Sequence, residues 1–327
     1  MRFVIYGAGA IGGVIGGRMF QAGHDVTLIA RGVHGEILRQ RGLELVAGDE
    51  VAVLPVPTVS HPSELELTPG DLVMLAMKTQ DTAPALTALA EHTPAGIRVV
   101  CAQNGVENER LALRSFADVY GMVVMCPSAH LEPGRVEAHW TPVTGLLDLG
   151  RYPTGVDPMA EEIAAALRAA TFGSEPRPDI MRWKYRKLIM NLANAALALC
   201  GPSEELRPLV KLLQDEGEAC LATAGIELVT RDEDRQRRGE LTTRPSPGGD
   251  SSTQSLSRRL GTIETDYLNG EIALLGRLHG VPTPANALVQ RLANDAAAAL
   301  RPPGHLTVEA VLAAVAAADA DAPPASD

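Results

Sequence analysis

Residues 2–12 are Arg2-Phe3-Val4-Ile5-Tyr6-Gly7-Ala8-Gly9-Ala10-Ile11-Gly12. The apolar run before Gly7 predicts a buried β-strand, and the apolar spacing over residues 10–21 predicts a helix. A G-x-G-x-x-G pattern between a strand and a helix is typical of a dinucleotide-binding turn, because glycine allows a tight turn and a close approach of backbone to pyrophosphate. The N-terminus of the helix then stabilises the phosphate charge. We therefore expect Gly7, Ala8, Gly9, Ala10, Ile11 and Gly12 to bind a dinucleotide cofactor.

The rest of the first half alternates short β-rich runs with helical segments, which is typical of βαβ units and a parallel sheet. We expect further strands over residues 25–30, 71–76 and 98–101, and a helix over residues 158–170. Additional short strands between residues 119 and 149 are expected to extend the edge of the sheet. The fold class that follows is α/β, with an N-terminal Rossmann-type doubly wound sheet.

Beyond Pro176-Arg177-Pro178, which we interpret as a linker, the chain has a helical pattern. The segments near 181–199, 204–224, 251–279 and 284–300 predict an all-α C-terminal domain, and Pro245–Gly249 predicts a loop. We expect a cofactor-binding domain at 1–177 and a helical substrate domain at 178–303. An Ala-, Pro- and Asp-rich tail at 304–327 is expected to be partly disordered.

Composition narrows the class of protein. The 327 residues are 46% hydrophobic and carry 29 basic and 40 acidic side chains, a formal net charge of −11, which argues against nucleic acid or an anionic membrane as a partner. No long apolar run predicts a membrane span, and glycines interrupt the first apolar run too early for a signal peptide. The four cysteines lack metal-ligand spacing, so we expect no metal site and a cytoplasmic location.

The end of the second strand indicates which dinucleotide binds. An NAD site usually has Asp or Glu there for the ribose 2'-hydroxyl, whereas Arg31 stands at this point and can pair with a 2'-phosphate. We therefore expect NADP(H), the alternative being an ordinary surface arginine. Lys78 follows another predicted strand and is expected beside the cofactor, unless it is only a solvated loop residue.

A polar stripe marks the first helix of the second half. Lys184, Lys187, Asn191 and Asn194 are spaced by 3, 4 and 3 residues and therefore share one helix face. Such a stripe lies against water or lines a cleft. We favour the cleft, because asparagine is a costly choice on an exposed helix. The chain contains only four lysines, and lysine is the cation that can release a proton near neutral pH.

Several ordered motifs together make the chain resemble the ketopantoate reductase family, the 2-dehydropantoate 2-reductases, over residues 1 to about 300. Beside the glycine pattern they are Ile29-Ala30-Arg31-Gly32, Met77-Lys78-Thr79, Gln103-Asn104-Gly105-Val106, Glu132-Pro133-Gly134-Arg135-Val136, Arg186-Lys187-Leu188-x-x-Asn191, Ser251-Ser252 and Glu264-x-Asp266-x-x-Asn269-Gly270.

The resemblance implies a C-terminal domain like that of 6-phosphogluconate dehydrogenase, an active site between the domains, and reduction of ketopantoate to D-pantoate by NADPH in pantothenate and coenzyme A biosynthesis. It implies that Lys187 protonates or polarises the ketone oxygen, and that Glu264 bonds the substrate hydroxyl or Lys187. The resemblance further implies that Asn191 and Ser252 bind substrate, and that Asn104 lies where nicotinamide meets substrate.

The asparagine pattern departs from that of many relatives, which have a second asparagine eight residues after the catalytic lysine. Here Ala195 occupies that position and Asn194, which we also expect to bind substrate, precedes it. The substrate is therefore either ketopantoate or another branched 2-oxo acid. A non-catalytic NADP(H) sensor is the third hypothesis. The expected partner is a small-molecule 2-oxo acid, and the expected state a monomer or homodimer.

Overall fold

The structure of this protein is a computed structural model that describes residues 1–239 and 249–320. The chain divides into two compact units. The first comprises Met1–Lys184 and the segment that starts at Thr230, and the second comprises Tyr185–Val229 and the chain from Gly249 onward. The sequence placed the division at 177/178, seven residues before the point where the first unit ends inside a helix.

The first unit contains all twelve strands of the described chain. They are β1 (Arg2–Tyr6), β2 (Asp25–Ile29), β3 (Leu43–Ala47), β4 (Glu50–Leu54), β5 (Thr58–Val59), β6 (Leu72–Leu75), β7 (Arg98–Cys101), β8 (Asp118–Met125), β9 (Ser128–Ala129), β10 (Arg135–Ala138), β11 (Gly145–Arg151) and β12 (Phe172–Gly173). Its helices are α1 (Ala10–Gln21), α2 (Gly32–Arg41), α3 (Thr82–Glu91), α4 (Asn108–Leu113) and α5 (Pro158–Ala169), with short 3₁₀ helices at Pro62–Glu64 and Thr79–Asp81.

The large sheet has eight strands in the order β12-β11-β8-β7-β6-β1-β2-β5. Pairing is parallel from β8 to β5 and antiparallel only between β8 and β11. Strands β1, β6 and β7 are apolar and buried, as expected for a parallel sheet covered on both faces. The chain leaves β1 towards β2 on one side and returns to β6 on the other, so ligands are expected at the carboxyl ends of these strands. The expected α/β class with a doubly wound sheet is confirmed.

The strands between residues 118 and 151 belong to two different sheets. β8 and β11 join the large sheet, as expected, but β10 pairs in parallel with β3 in a separate four-stranded sheet of order β4-β3-β10-β9. The expectation that all of them extend one sheet edge was therefore wrong. The reason is a pairing between strands about 90 residues apart, which no local pattern encodes.

The segment interpreted as a linker is fixed to the large sheet. Pro176 forms a bridge with Leu149, and the N–H of Arg177 donates to the Leu149 carbonyl at 2.7 Å. A short helix, α8 (Arg231–Arg238), joins the same edge because Arg237 contacts both carboxylate oxygens of Asp148 at 2.6 and 2.7 Å. These contacts explain why the unit extends past residue 177.

The long helix α6 (Ile180–Cys200) runs from the first unit into the second. The second unit otherwise contains α7 (Arg207–Thr223), α9 (Ser251–Ser257), α10 (Asn269–His279), α11 (Pro284–Ala298) and α12 (Val308–Ala320), with 3₁₀ helices at Glu204–Leu206 and Glu264–Tyr267. Its core is aliphatic, and Gly217 of α7 allows Ile189 and Leu192 of α6 to pack closely. The helical C-terminal domain is confirmed.

Two details of the helical half differ from expectation. The single helical segment near 251–279 is interrupted between Ser257 and Glu264, where Gly261 adopts a φ of +74°. Residues 308–320, expected in a partly disordered tail, form α12, which agrees with the high helix propensity of its alanines. Residues 321–327 and most of the expected loop over Pro245–Gly249 lie outside the described residues. Across the described ranges, no helix combines the length and apolarity that crossing a membrane requires.

Candidate active site

The glycine-rich turn directly follows β1. Gly7 has a φ of +100°, and a Cβ on it would lie 2.7 Å from the backbone nitrogen of Met77, so only glycine fits. A Cβ on Gly12 would lie 2.0 Å from the Gly7 carbonyl oxygen. The two glycines therefore bring the turn, the first coil of α1 and the end of β6 closer together than any side chain would permit.

The first turn of α1 contains no acidic residue. Gly9 is the N-cap and supplies no capping side chain, and Ala10 and Ile11 begin the helix. The first N–H groups of a helix have no partner within the helix, and the helix dipole favours an anion there. This end of the sheet therefore fits the pyrophosphate of a dinucleotide, as the glycine pattern predicts.

Arg31 stands at the end of β2 as the N-cap of α2, with 70% of its side chain exposed. Its guanidinium lies 3.9 Å from the carboxylate of Asp81, which ends the 3₁₀ helix after β6. A cavity at this point is lined by Tyr6, Gly7, Ala8, Ile29, Ala30, Arg31, His34, Met77, Asp81 and Ala85. Burial raises the pKa of Tyr6, and the positive charge of Arg31 opposes that shift. Arg31 is thus the main cation of a cavity that continues from the glycine-rich turn.

Lys78 and Asn104 lie on the loops that follow the neighbouring strands β6 and β7. Lys78 is the N-cap of the 3₁₀ helix Thr79–Asp81. The Gln103 amide donates to the Met77 carbonyl at 2.9 Å, which joins the two loops next to the two predicted residues. Lys78 and Asn104 therefore lie on adjacent loops at the carboxyl edge of the sheet.

Buried polar side chains fix these two loops further. Thr82 accepts from Gln103 at 2.8 Å and donates to Asn108 at 2.8 Å. The Asn108 amide then donates to the Asn104 carbonyl at 3.1 Å and to the Thr79 hydroxyl at 3.2 Å. Within the described residues the Gln103 side-chain oxygen has no hydrogen-bond partner, but the four bonds of this buried network restrain both loops. The backbone around Asn104 is therefore held in place before any ligand binds.

Lys184 is buried in the first unit, whereas its place in the polar stripe predicted that it lines a cleft. Its side chain is 2% exposed, and Nζ lies 2.5 Å from a Glu109 carboxylate that is fully buried. Nζ also donates to the Gln103 carbonyl at 2.9 Å and to the Met122 carbonyl at 3.3 Å. Burial raises the pKa of Glu109, and Lys184 opposes that shift. Lys184 therefore supports the loop that carries Asn104, since it donates to the Gln103 and Met122 carbonyls and forms an ion pair with Glu109.

Glu109 is a residue that the sequence analysis missed, and so are Thr82 and Asn108. Each lies inside a helix or at its start and is fully buried. Glu109 stands in the polar run Glu107-Asn108-Glu109-Arg110, so the local sequence gives no signal that its carboxylate is buried. The cation that pairs with Glu109 is Lys184, which lies 75 residues later in the sequence, so no local pattern connects the two.

In the second unit, α6 carries the other three members of the stripe. Asn191 follows Lys187 by four residues and Asn194 follows it by seven, so all three lie on one face of the helix. Asn191 is buried, whereas Lys187 and Asn194 are half-buried. A cation next to two amides on one face suits recognition of a carbonyl or carboxylate group.

Asn269 connects this part of α6 to the segment that contains Glu264. Its buried amide donates to the Leu192 carbonyl at 3.1 Å and to the Asn286 side chain at 3.0 Å. Asn286 in turn donates to Glu216 at 2.7 Å. Glu264 is buried at the start of the adjoining 3₁₀ helix. Asn269 was noted as part of a motif but not as a site residue, and its bond to the residue after Asn191 gives it a supporting role.

Ser252 lies at the start of α9, a helix capped by Asp250. The Asp250 carboxylate accepts from the N–H groups of Ser252 and Thr253 at 2.7 and 3.1 Å, and burial raises its pKa. The Ser252 hydroxyl is buried and has no hydrogen-bond partner within residues 1–239 and 249–320. A buried hydroxyl without a partner costs free energy, so the position of Ser252 is compatible with the predicted contact to a substrate.

The predicted site residues therefore fall into two groups. The glycine-rich turn, Arg31, Lys78 and Asn104 belong to the first unit. Lys187, Asn191, Asn194, Ser252 and Glu264 belong to the second unit. Each group is consistent within its own unit, the first with a dinucleotide and the second with a small polar anion.

Comparison with known proteins agrees with this division. The family model described as "Ketopantoate reductase PanE/ApbA" matches residues 3–153. The model described as "Ketopantoate reductase PanE/ApbA C terminal" matches residues 179–297. The two matches cover both groups of site residues.

Individual relatives match over nearly their whole length. The 2-dehydropantoate 2-reductase of Archaeoglobus fulgidus is 30% identical over 300 residues, which is 89% of this chain and 96% of the relative. A crystal structure of a PanE/ApbA family ketopantoate reductase from Ralstonia eutropha JMP134 is 28% identical, covers 92% of this chain and 99% of its own, and has a TM-score of 0.79. D-mandelate dehydrogenase, solved as a ternary structure with NADH and anilino(oxo)acetate, shares the fold at 23% identity, with a TM-score of 0.81 and coverage of 92% and 99%.

Matches of this extent show that the chain belongs to the ketopantoate reductase PanE/ApbA family, a family of oxidoreductases.

Proposed function

We propose that this protein reduces ketopantoate to D-pantoate with NADPH, as a step of pantothenate and coenzyme A biosynthesis. The main observation that supports this proposal is the difference in environment between two lysines of α6. Lys184 is buried against Glu109, whereas Lys187 is half-buried on the face that carries Asn191 and Asn194. The names of the curated relatives support the choice of substrate.

The cofactor we propose is NADP(H). Arg31 occupies the strand end where an NAD site usually has a carboxylate, and its guanidinium is exposed enough to pair with a 2'-phosphate. The close approaches at Gly7 and Gly12 leave the backbone of the turn uncovered by side chains, which fits a pyrophosphate. Lys78 and the Asn104 loop are the further cofactor contacts that we propose.

The chemistry assigns one role to Lys187. Bound NADPH supplies the hydride that becomes the hydrogen on C2 of the product. As the ketone oxygen gains negative charge, the Lys187 ammonium stabilises it and then transfers a proton to it. Arginine cannot serve this purpose because it does not deprotonate near neutral pH. The catalytic step therefore depends on a lysine in this place.

The remaining residues of the second unit bind and orient the substrate in this proposal. Asn191, Asn194 and the buried hydroxyl of Ser252 donate to the substrate carboxylate or to its hydroxyl. Glu264 accepts from that hydroxyl or orients Lys187. In a protein with a net charge of −11 an anionic substrate needs such specific donors.

A second candidate is the reduction of another branched 2-oxo acid. Ala195 is buried at the position where the family resemblance implies an asparagine, so one amide of that pattern is absent from α6. The fold shared with D-mandelate dehydrogenase is compatible with this candidate. The cytoplasmic location and the monomeric or homodimeric state stay predictions.

NADPH oxidation by the purified protein with a panel of 2-oxo acids tests the proposal. We expect the highest kcat/KM with ketopantoate. Higher efficiency with a different branched 2-oxo acid would favour the second candidate. Binding of NADPH without oxidation by any acid of the panel would favour the sensor hypothesis.

A further inference from the structure

His34 connects the glycine-rich turn to a distant part of the first unit. It lies in the first turn of α2, with Nε2 2.8 Å from the Ala8 carbonyl oxygen and Nδ1 2.9 Å from the Gly134 nitrogen. A backbone N–H can only donate, so Nδ1 accepts and carries no proton. Nε2 then carries the proton of the neutral ring and donates to Ala8. Both hydrogen bonds thus define one tautomer of a neutral imidazole.

The Gly134 end of this connection is firmly anchored. Gly134 precedes β10, and its carbonyl accepts from the Glu44 N–H of β3 at 2.9 Å. A Cβ on Gly134 would lie 2.4 Å from Ile37 of α2, which shows how closely the turn packs there. The ring of His130 lies 4.2 Å from the His34 ring, centroid to centroid. The imidazole is therefore fixed in place, and its hydrogen bond to the Ala8 carbonyl restrains the position of Ala8.

Ala8 belongs to the turn that the proposed function assigns to the cofactor. In a trans peptide the carbonyl oxygen of one residue and the N–H of the next point in opposite directions. By holding the Ala8 oxygen, His34 therefore directs the Gly9 N–H away from itself. Gly9 is the N-cap of α1, where backbone N–H groups bind phosphate.

We propose that His34 is a positioning residue for the cofactor pyrophosphate, acting through the Ala8–Gly9 peptide. This inference rests on the proposed dinucleotide binding and adds to it a residue outside the glycine pattern. The bond that matters is the one from Nε2 to Ala8. The bond from Gly134 serves to select the tautomer and hold the ring.

Two amide substitutions separate these bonds. His34→Gln places its amide nitrogen near the position of Nε2 and keeps the bond to Ala8. His34→Asn reaches only to the position of Nδ1 and keeps the bond to Gly134. His34→Leu removes both. The two amides have the same chemistry, so a difference between them reports which bond the cofactor needs.

The experiment measures Kd for two ligands. NADPH contains the pyrophosphate, whereas 2'-AMP contains the adenosine and the 2'-phosphate without it. For NADPH we expect His34→Leu and His34→Asn to raise Kd about tenfold, the size of one well-placed hydrogen bond, and His34→Gln to stay within about threefold of wild type. For 2'-AMP we expect Kd to stay within about twofold in all three variants. Arg31→Ala is the matched control, because it should weaken both ligands.

The possible results are distinguishable. Equal weakening of NADPH by the Gln and Asn variants, or an unchanged Kd in the Leu variant, would overturn the inference while the proposed function stands. Weakening of 2'-AMP to the same extent as NADPH would also overturn it, because the effect would then be a general disturbance of α2. A wild-type protein that binds neither NADPH nor NADH would overturn the proposed function and this inference together. Thermal melting of each variant checks that the fold is kept.

Discussion

The candidate sites of the two units of this protein are built in different ways. In the first unit the site is largely backbone, namely a glycine-rich turn and loops fixed by buried amides and by the pair of Lys184 and Glu109. In the second unit it consists of side chains on helices, among them a buried Ser252 hydroxyl that no described residue bonds. We infer from this contrast that the fold determines cofactor binding, whereas a few side chains determine the substrate. Substrate preference can therefore change without a change of fold.

Helix α6 contains the same contrast within one turn. Lys184 ends the first unit and is buried in an ion pair, and Lys187 lies in the second unit, half-buried on the polar face. A buried ion pair is poor evidence for catalysis, because breaking it leaves an uncompensated charge whatever its function. Substitutions in both units test whether the contrast holds.

Lys187→Met should lower kcat about 10²- to 10⁴-fold at saturating substrate, because it removes the general acid. The variant should still bind NADPH, since the cofactor residues lie in the first unit. Steady-state turnover and a separate cofactor titration measure the two quantities.

The matched control is the double variant Lys184→Met with Glu109→Leu, which replaces both buried charges and leaves neither unpaired. We expect it to keep turnover within about tenfold of wild type. A loss as large as that of Lys187→Met would move the proton donor one turn back along α6.

Arg31→Ala should reduce the preference for NADPH over NADH about 10- to 100-fold, since each charge-assisted hydrogen bond to the 2'-phosphate contributes about 1.5 to 3 kcal/mol. The ratio of kcat/KM for the two cofactors measures it. A wild-type protein that uses NADH as well as NADPH would contradict the assignment of Arg31.

Glu264→Gln should weaken discrimination between ketopantoate and the same acid without its terminal hydroxyl. The wild type should favour ketopantoate about tenfold or more, because the analogue lacks the hydroxyl from which the buried Glu264 is proposed to accept a hydrogen bond. The measurement compares kcat/KM for the two acids, with Ser252→Ala as the control. Equal efficiency of both acids in the wild type would favour the alternative branched 2-oxo acid.

Asp81→Asn should raise the NADPH preference roughly threefold, the size of one exposed charge interaction. Asp81 lies 3.9 Å from Arg31, so its negative charge opposes a 2'-phosphate held there. Raising the salt concentration should reduce the difference between variant and wild type. A decrease in NADPH preference would show that Asp81 supports the phosphate site instead.

The sequence predicted the elements whose signals are local. Strand β1, helix α1 and strand β7 have the expected bounds, because the glycine pattern and short apolar runs mark them. The sheet that contains β3 and β10 was not expected, since its pairing joins distant segments. The break near Gly261 was missed because apolar residues continue at helical spacing on both sides of it.

The candidate site was predictable to a similar degree. The glycine-rich turn and Arg31 could be predicted because a dinucleotide-binding βαβ unit contacts its cofactor at these two positions, after the first strand and at the end of the second. The roles of Ser252 and Glu264 came from the family resemblance. From the sequence alone, Ser252 could equally be a helix-cap residue and Glu264 a solvent-exposed helix residue. Lys184 illustrates the physical limit. Its burial depends on Glu109, which lies 75 residues earlier in the sequence, and no spacing along α6 reveals that partner.

Transfer of deuterium from NADPH labelled at both C4 positions follows the proposed hydride from cofactor to product. The protein is incubated with labelled NADPH and ketopantoate, and the product is analysed by mass spectrometry. We predict pantoate with one deuterium atom at C2, formed in proportion to the NADPH oxidised. Oxidation of NADPH without deuterium in pantoate, or no turnover while other proteins of the family are active in the same assay, would contradict the proposed reduction of ketopantoate.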